Sequence, residues 1–189
     1  MVQVVREYTD HPLLYDHQKA GPDIPDMAPK FVRLCRAAGV AGLILFPLAG
    51  PGAVKSFVGS SLEEGLVPIV GGALPLPDYL VSGGGFVADD GPTRIFEQAA
   101  ALGAHHFVVP ANEAATARRY VSLLRERVER PSLIMPGIGS LGGTIASAFA
   151  ETSGCRAYAI VGRAIYASAD PTEAARRLGA EALAFSRGG

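Results

Sequence analysis

The stretch Ser132–Gly143, SLIMPGIGSLGG, combines a short apolar run with a glycine-rich turn. Its first part, Ser132 to Met135, predicts a buried strand, and the segment Gly143 to Thr152 predicts a helix. Glycine between two such elements permits a close backbone approach and unusual dihedral angles. A strand, a tight loop and a helix in this order form one unit of a parallel α/β sheet.

The same alternation of strand-length and helix-length runs recurs along the chain. The runs are nearly continuous in Val, Ile, Leu or Phe, as is typical of strands covered on both faces. Together with Ser132 to Met135, the candidate strands are Leu13 to Tyr15, Gly42 to Pro47, Val67 to Val70, His106 to Pro110 and Ala157 to Val161. The candidate helices are Met27 to Ala38, Ala53 to Glu64, Pro92 to Leu102, Glu113 to Glu129, Gly143 to Thr152 and Pro171 to Phe185. The fold class is therefore α/β, with a parallel sheet and crossover helices.

The final helix has a strong start signal. Asp170 is placed as its N-cap, Pro171 as its first helical residue and Glu173 as its third. An acidic cap followed by proline and then glutamate is typical of a helix N-terminus.

Short loops and glycine-rich or polar strand ends favour a TIM-type (β/α) barrel, in which ligand groups gather at the carboxyl ends of the strands. The 189 residues suit one compact domain spanning 1–189. About six βα units are present, whereas a closed barrel uses eight. We therefore expect an incomplete barrel, a barrel closed by another chain, or one that has lost two N-terminal units.

Composition argues against two classes of partner. The chain has 17 Lys and Arg against 18 Asp and Glu, and no basic run interleaves with aromatic residues, so we expect no nucleic-acid partner. No apolar run approaches the roughly 18 to 20 residues that span a bilayer, and the N-terminus lacks a signal-peptide pattern. These features predict a cytoplasmic protein without a membrane partner.

The stretch Tyr15–Pro25, YDHQKAGPDIP, carries the first candidate site. Asp16 directly follows the first predicted strand, and a proline stands on each side of Asp23-Ile24. An ammonium group such as that of Lys19, held between the two carboxylates, stays protonated and can donate a proton. The nearby negative charges would destabilise a substrate anion, which suits a decarboxylation through a carbanion. The alternative is a solvated loop with an incidental ion pair.

A second candidate site binds an anion. Backbone amides of the loop Pro136–Gly143 and the dipole of the following helix favour a phosphate group. Further along, Gly162 and Arg163 end a strand, and a guanidinium can grip phosphate with two parallel hydrogen bonds. Together they match the usual phosphate site of a barrel. The alternative is a set of tight turns and a surface arginine.

Two further side chains are candidates for contact with a ligand. His17 lies inside the Tyr15–Pro25 stretch, and Asn112 follows the strand His106 to Pro110. A structural role is the alternative for each of them.

Three stretches in this order resemble the motifs of the orotidine 5'-phosphate decarboxylase family: Asp16 to Pro25, Met135 to Gly143, and Ile160 to Tyr166. Shorter pieces resemble the ends of the family's fourth, fifth and sixth strands: Phe46-Pro47, Val70 to Gly72, and His106 to Asn112. On this resemblance the chain lacks the family's first two βα units.

The resemblance implies a lyase without cofactor or metal that converts orotidine monophosphate to uridine monophosphate in pyrimidine synthesis. It also implies a homodimer in which each active site borrows one Asp from the neighbouring subunit, so we expect a homodimer or a larger homo-oligomer. Lys19 would protonate the C6 carbanion, Asp16 would crowd the departing carboxylate, and Asp23 would be the donated residue. The phosphate would bind Gly162, Arg163 and amides of the loop that contains Pro136, Gly137, Gly139, Gly142 and Gly143.

The chain departs from the family pattern in several places. Lys19 follows Asp16 by three residues and Asp23 follows Lys19 by four, each one residue more than the family spacing. We expect a bulge to absorb the extra residue, because side chains alternate in direction along a strand. The family's first-strand Asp and second-strand Lys have no counterpart. Its pyrimidine-contacting Ser or Thr is replaced near Pro75, and its phosphate-contacting Gln by Leu141.

Two other functions remain open on the sequence. One is a noncatalytic or truncated barrel that binds a phosphate ligand without turnover. The other is a related sugar-phosphate decarboxylase or aldolase, which would need a divalent metal.

Overall fold

The structure, a computed structural model, describes residues 2–17, 23–139 and 142–186. Its strands are β1 (Leu14–Asp16), β2 (Gly42–Leu45), β3 (Val67–Gly71), β4 (His106–Val108), β5 (Ser132–Met135) and β6 (Arg156–Ala159). Its helices are α1 (Val2–Arg6), α2 (Ala28–Ala37), α3 (Pro51–Glu63), α4 (Gly91–Ala101), α5 (Ala114–Arg125), α6 (Ile145–Ala150), α7 (Arg163–Tyr166) and α8 (Pro171–Ser186). Short 3-10 turns occupy Pro25–Met27 and Val81–Gly83.

The strands follow chain order in the sheet, β1-β2-β3-β4-β5-β6. The pairs β1 with β2, β2 with β3, and β5 with β6 are parallel. A helix between consecutive parallel strands is the arrangement of a (β/α) barrel, which has eight strands when closed. Within the described residues there are six strands, so the fold is an incomplete TIM-type barrel and the predicted number of units is confirmed.

The chain divides into two compact units. The first comprises Met1–Gly72 and Asp90–His106. Its core packs the buried face of α2 against β2 and α3, through a cluster that consists of Ala28, Val32, Cys35, Val40, Leu43, Leu45, Phe57 and Leu66. Phe31 and Val2 pack on this cluster. The buried cluster fixes β2, with which β1 pairs in parallel.

The second unit comprises Ala73–Asp89 and Phe107–Gly189. All four residues of β5 are buried, and β5 pairs with β6 along its whole length. Beyond the end of β4, the amide of Val109 donates to the Ile134 carbonyl (2.9 Å) and that of Ala111 donates to the Pro136 carbonyl (2.8 Å). The backbone after β4 therefore continues beside the backbone after β5.

Burial of β1 and β6 differs from the expectation of strands covered on both faces. All three residues of β1 are exposed, and β6 alternates between exposed and half-buried residues. These strands stand first and last in the sheet order, so each has one neighbouring strand, whereas the fully buried β2 and β5 have two. Apolar composition alone therefore overestimated their burial.

Element boundaries differ from the predictions by a few residues, and two short helices were missed. Ser132–Met135 agrees with the prediction, whereas α5 ends at Arg125 rather than Glu129 and α6 begins at Ile145 rather than Gly143. The five-residue helix α1 and the four-residue helix α7 were not among the predicted helices, because about one turn is too short to produce a periodic pattern.

The predicted start of α8 is confirmed. Pro171 is its first residue, and the carboxylate of Asp170 accepts a hydrogen bond of 3.0 Å from the amide of Glu173. Across the described ranges, no helix is both long and apolar enough to cross a membrane.

Candidate functional site

The first candidate carboxylate stands at the carboxyl end of β1. Asp16 is the last residue of the strand and is paired in register with Ile44 of β2. The strand therefore includes Asp16, whereas the sequence placed the strand end at Tyr15. The amide of His17 donates to the Ile44 carbonyl at 3.0 Å, which extends the pairing by one residue. The side chain of Asp16 is exposed, but its backbone is held in place by pairing with β2.

The second candidate carboxylate shapes the turn that leads into α2. One oxygen of Asp23 accepts a hydrogen bond of 2.6 Å from the amide of Ile24. Ile24 is extended (φ −93°, ψ 110°), and Pro25 begins the 3-10 turn. The predicted Lys19, the bulge expected beside it, and Pro22 lie outside the described residues.

His17 lies between these carboxylates in sequence and packs into an aromatic cluster. Its ring stacks on Phe31 with centroids 4.2 Å apart and 25° between the planes, and Tyr15 lies 5.5 Å away. Burial lowers the pKa of His17, while the negative charges of Asp16 and Asp23 act in the opposite direction. Both predicted carboxylates therefore lie within electrostatic reach of the same imidazole ring.

The glycine-rich loop after β5 is closed by its own hydrogen bonds. Gly139 donates to the Gly143 carbonyl at 2.8 Å, and Gly142 donates to that of Gly139 at 2.9 Å. Gly143 donates to the Gly137 carbonyl at 3.1 Å. An anion at this loop would have to share these three amides. The amides of Gly137 and Ile138 have no partner within the described ranges.

Gly137 and Gly143 show two different reasons why this loop requires glycine. Gly137 has a φ of 101°, which side chains other than glycine rarely adopt. A Cβ atom on Gly143 would lie 2.7 Å from the Gly137 carbonyl oxygen and 2.8 Å from that of Ala111. Glycine at position 143 therefore permits a close approach of protein backbone segments, and the predicted approach of an anion to this loop stays a prediction.

The second half of the predicted phosphate site follows β6. Gly162 precedes α7, whose first residue is the exposed Arg163. A Cβ atom placed on Gly139 would lie 3.4 Å from the Cβ atom of Ala164. The structure thus brings the loop after β5 into contact with the first turn of α7, as the pairing of the two motifs predicted.

The free donors of this region lie mainly at the start of α7. The amides of Gly162, Arg163 and Ala164 have no partner among the described residues. Ala164 was not among the predicted site residues. Its position two residues after Gly162 was the available signal, because amides in the first turn of a helix lack intrahelical partners.

The start of α6, by contrast, is closed by its own side chains. The amide of Ser147 donates to the Thr144 hydroxyl at 3.0 Å, and the amide of Thr144 donates to the Ser147 hydroxyl at 3.2 Å. This capping box occupies two amides at the N-terminus of α6, the helix whose dipole we expected from the sequence to favour an anion. The spacing of Thr144 and Ser147 was its sequence signal.

At two positions, Pro75 and Leu141, the sequence indicates that this chain lacks a residue with which the family contacts its ligand. The structure describes one of these two positions. Pro75 is half-buried on the segment after β3. Leu141 lies outside the described part of the chain.

Comparison with known proteins identifies relatives for this arrangement. No family model matches the sequence. One curated relative, the orotidine 5'-phosphate decarboxylase of Thermoplasma acidophilum, is 26% identical over 159 residues, covering 84% of this chain and 67% of the relative. Another, the orotidine 5'-phosphate decarboxylase of Thermococcus kodakarensis, is 37% identical and covers 56% of this chain and 60% of the relative. In sequence, the chain is similar to orotidine 5'-phosphate decarboxylases.

The alignments span about two thirds or less of the length of these curated decarboxylases. Solved decarboxylase structures share the fold over nearly the whole chain. The enzyme of Methanocaldococcus jannaschii in complex with the inhibitor BMP has a TM-score of 0.74 at 20% identity, covering 93% of this chain and 76% of that one. The Sulfolobus solfataricus decarboxylase has a TM-score of 0.72 at 16% identity, with 98% and 81% covered. The Pyrococcus horikoshii decarboxylase has a TM-score of 0.71 at 22% identity, with 96% and 79% covered.

Proposed function

We propose that this chain catalyses the decarboxylation of orotidine 5'-phosphate to uridine 5'-phosphate in pyrimidine synthesis. The observation that carries the proposal is that both curated relatives described above are orotidine 5'-phosphate decarboxylases. In the first unit a predicted motif begins at the carboxyl end of β1, and in the second unit two predicted motifs begin at or follow the carboxyl ends of β5 and β6. In a barrel these strand ends form the active-site face.

The proposed reaction breaks the bond between C6 of the pyrimidine and its carboxylate carbon. Carbon dioxide leaves, and the electron pair remains on C6. The ammonium of Lys19 then donates a proton to C6, and the resulting amine recovers a proton from water. Asp16 contributes by electrostatic repulsion, because its negative charge beside the substrate carboxylate raises the energy of the ground state.

The phosphate group of the nucleotide is assigned to the second unit. Arg163 supplies the positive charge, and the free amides of Gly162, Arg163 and Ala164 supply hydrogen-bond donors. The amides of Gly137 and Ile138, in the loop that also contains Pro136, Gly139, Gly142 and Gly143, would complete the site. A guanidinium with several backbone donors is a common combination for phosphate.

The proposal includes a homodimer of a cytoplasmic enzyme. Asp23 is exposed, and its carboxylate is held near the surface by the bond from Ile24. An exposed carboxylate on the segment after β1 is available to a neighbouring subunit, which is the role that the family resemblance implies.

The test is a spectrophotometric assay of orotidine monophosphate decarboxylation by the purified chain without added metal. The decisive variant is Lys19→Ala, and Lys55→Ala, which removes an exposed lysine from α3, is its matched control. We expect turnover by the wild type and by Lys55→Ala, and a loss of at least about 1,000-fold in Lys19→Ala, since proton transfer would lack its donor. Equal turnover by Lys19→Ala would remove Lys19 from the mechanism. Binding of uridine monophosphate without turnover by the wild type would favour the noncatalytic phosphate-binding barrel instead.

A further inference from the structure

Asn112 occupies a position that the proposed mechanism does not use. It follows β4 in the second unit, where the bond from Ala111 to the Pro136 carbonyl holds the backbone against the loop after β5. A Cβ atom on Gly137 would lie 3.2 Å from the amide nitrogen of Asn112 and 3.4 Å from its Cβ atom. The side chain of Asn112 therefore starts directly beside the glycine-rich loop.

The opposite end of that loop lies against the same segment. A Cβ atom on Gly143 would lie 2.8 Å from the Ala111 carbonyl oxygen. Gly137 and Gly143 thus both pack on the backbone of residues 111–112, and the bond between them closes the loop at 3.1 Å. The backbone from which the side chain of residue 112 extends is consequently fixed relative to both ends of the loop.

The carboxamide of Asn112 is available to a ligand. Asn112 is exposed, and within the described ranges its side chain has no hydrogen-bond partner. The adjacent Glu113 is engaged differently, because its carboxylate accepts a hydrogen bond of 2.7 Å from Thr116 at the start of α5. A carboxamide provides two N–H donors without charge, and its NH₂ group can donate to a phosphate oxygen.

We propose that Asn112 contacts the phosphate end of the nucleotide and is a further binding residue of this site. This inference rests on the proposed function, because it takes the loop after β5 as the phosphate site. The side chain would donate to a phosphate oxygen beside the amides of Gly137 and Ile138. Asn112 would contribute to substrate affinity and would not take part in the chemical step.

The test compares Asn112→Ala and Asn112→Asp in calorimetric binding of uridine monophosphate. Loss of one hydrogen bond to a charged group predicts about 10- to 150-fold weaker binding by Asn112→Ala. Asn112→Asp places a negative charge beside the phosphate, so its affinity should fall further than that of Asn112→Ala. Ser122→Asp is the control, because it adds the same charge to the exposed face of α5, more than two helical turns beyond the start of that helix. Salt screens a surface charge at such a distance from the phosphate, so binding should stay within about 2-fold of the wild type.

A second readout separates the phosphate from the rest of the nucleotide. Inorganic phosphate should displace uridine monophosphate from the wild type and should do so less well from Asn112→Asp. In the turnover assay, Asn112→Ala should raise KM while kcat changes by less than about 3-fold, as expected for binding energy shared by ground and transition states.

The outcomes distinguish failure of this inference from failure of the proposed function. If the wild type binds uridine monophosphate and Asn112→Asp binds it equally well, the assignment of Asn112 is wrong and the phosphate site stands. If the Asn112 variants bind the nucleotide weakly but respond normally to inorganic phosphate, Asn112 contacts another part of the ligand and the inference is overturned. If the wild type binds neither ligand, the proposed function itself fails.

Discussion

The imidazole of His17 stacks on the ring of Phe31, with centroids 4.2 Å apart, and its Nδ1 is buried without a hydrogen-bond partner among the described residues. An unpartnered buried polar atom costs about 1–3 kcal/mol of stability. The contact joins the end of β1 to α2, so the same ring anchors the strand that carries Asp16. Aromatic packing of the His17 ring stabilises the folded state, whereas the unpartnered buried nitrogen destabilises it.

We expect the stability of the protein to fall as the pH drops below about 6.5, the ordinary pKa of histidine. Burial lowers the pKa of His17 in the folded state, so the unfolded chain binds the proton more readily. Above about pH 6.5 neither state is protonated at this residue and the effect vanishes. Urea unfolding at about pH 5 and about pH 8 measures the difference.

His17→Phe should remove this contribution to the pH dependence, because phenylalanine keeps the stacking and cannot bind a proton. Its free energy of unfolding should exceed that of the wild type most clearly at about pH 5. His11→Phe, which replaces an exposed histidine, is the matched control and should retain the wild-type slope. An unchanged slope in His17→Phe would show that the imidazole does not govern the acid sensitivity.

The capping box of α6 gives a prediction about stability. Thr144→Ala removes the hydroxyl that accepts from the Ser147 amide, and loss of an N-cap costs about 0.5–2 kcal/mol. Thr172→Ala, an exposed threonine in the first turn of α8, is the control and should change stability by less than about 0.5 kcal/mol. Urea unfolding followed by circular dichroism measures both. Equal stabilities of the two variants would mean that α6 does not depend on this cap.

Gly143→Ala should distort the loop after β5. The new methyl group would lie 2.7 Å from the Gly137 carbonyl oxygen, so the backbone must shift. We expect a loss of stability of about 1–3 kcal/mol and weaker binding of uridine monophosphate. Gly59→Ala is the matched change inside α3, where nothing lies within 4 Å of the added atom, and should stabilise the chain by about 0.5–1 kcal/mol. Thermal unfolding and calorimetry test the pair, and a Gly143→Ala variant as stable as the wild type would contradict the steric argument.

The proposed exchange of Asp23 between subunits predicts complementation. Lys19→Ala and Asp23→Asn should each be inactive alone, but a mixed dimer would contain one site with both native residues. Random reassortment of the two variants should restore about a quarter of wild-type turnover, since half of the dimers are mixed and each keeps one intact site. The assay follows decarboxylation after the variants are mixed under conditions that exchange subunits. No recovery in a mixture shown to contain mixed dimers would place Asp23 in its own subunit's site.

Local sequence patterns predicted the elements of the fold well. Ser132–Met135 was correct at both ends because a continuous apolar run coincides with a fully buried strand. The end of β1 was placed one residue early, because its pairing with Ile44 includes a charged residue that an apolar pattern excludes. Helix α5 was extended too far into a polar stretch, which ends near Arg130 with a positive φ of 58°. Strand pairing and backbone conformation determine where these elements end, and the hydrophobic pattern of the sequence contains information on neither.

The candidate site was predictable in its residue types and less so in its contacts. From the order of the motifs we expected the loop after β5 to lie beside the start of α7, and in the structure the two segments are in contact. Gly139 contacts Ala164, and Gly137 packs on Asn112. Both contacts join residues that are distant in sequence, so no local sequence pattern predicts them. The internal hydrogen bonds of the glycine-rich loop were missed for a related reason. Glycine content indicates that a backbone can turn tightly, but it does not say which carbonyl each amide will find.

Those internal bonds have a consequence for the energetics of ligand capture. Gly137, Gly139, Gly142 and Gly143 are joined to one another by three hydrogen bonds before any phosphate arrives. Glycine has the largest conformational entropy to lose, and here that loss is already incurred when the chain folds. Association would then require little further ordering of these residues, so more of the electrostatic attraction can contribute to affinity. These four glycines would behave as a rigid part of the receptor, and substitutions that loosen them should weaken binding through entropy even where every donor remains.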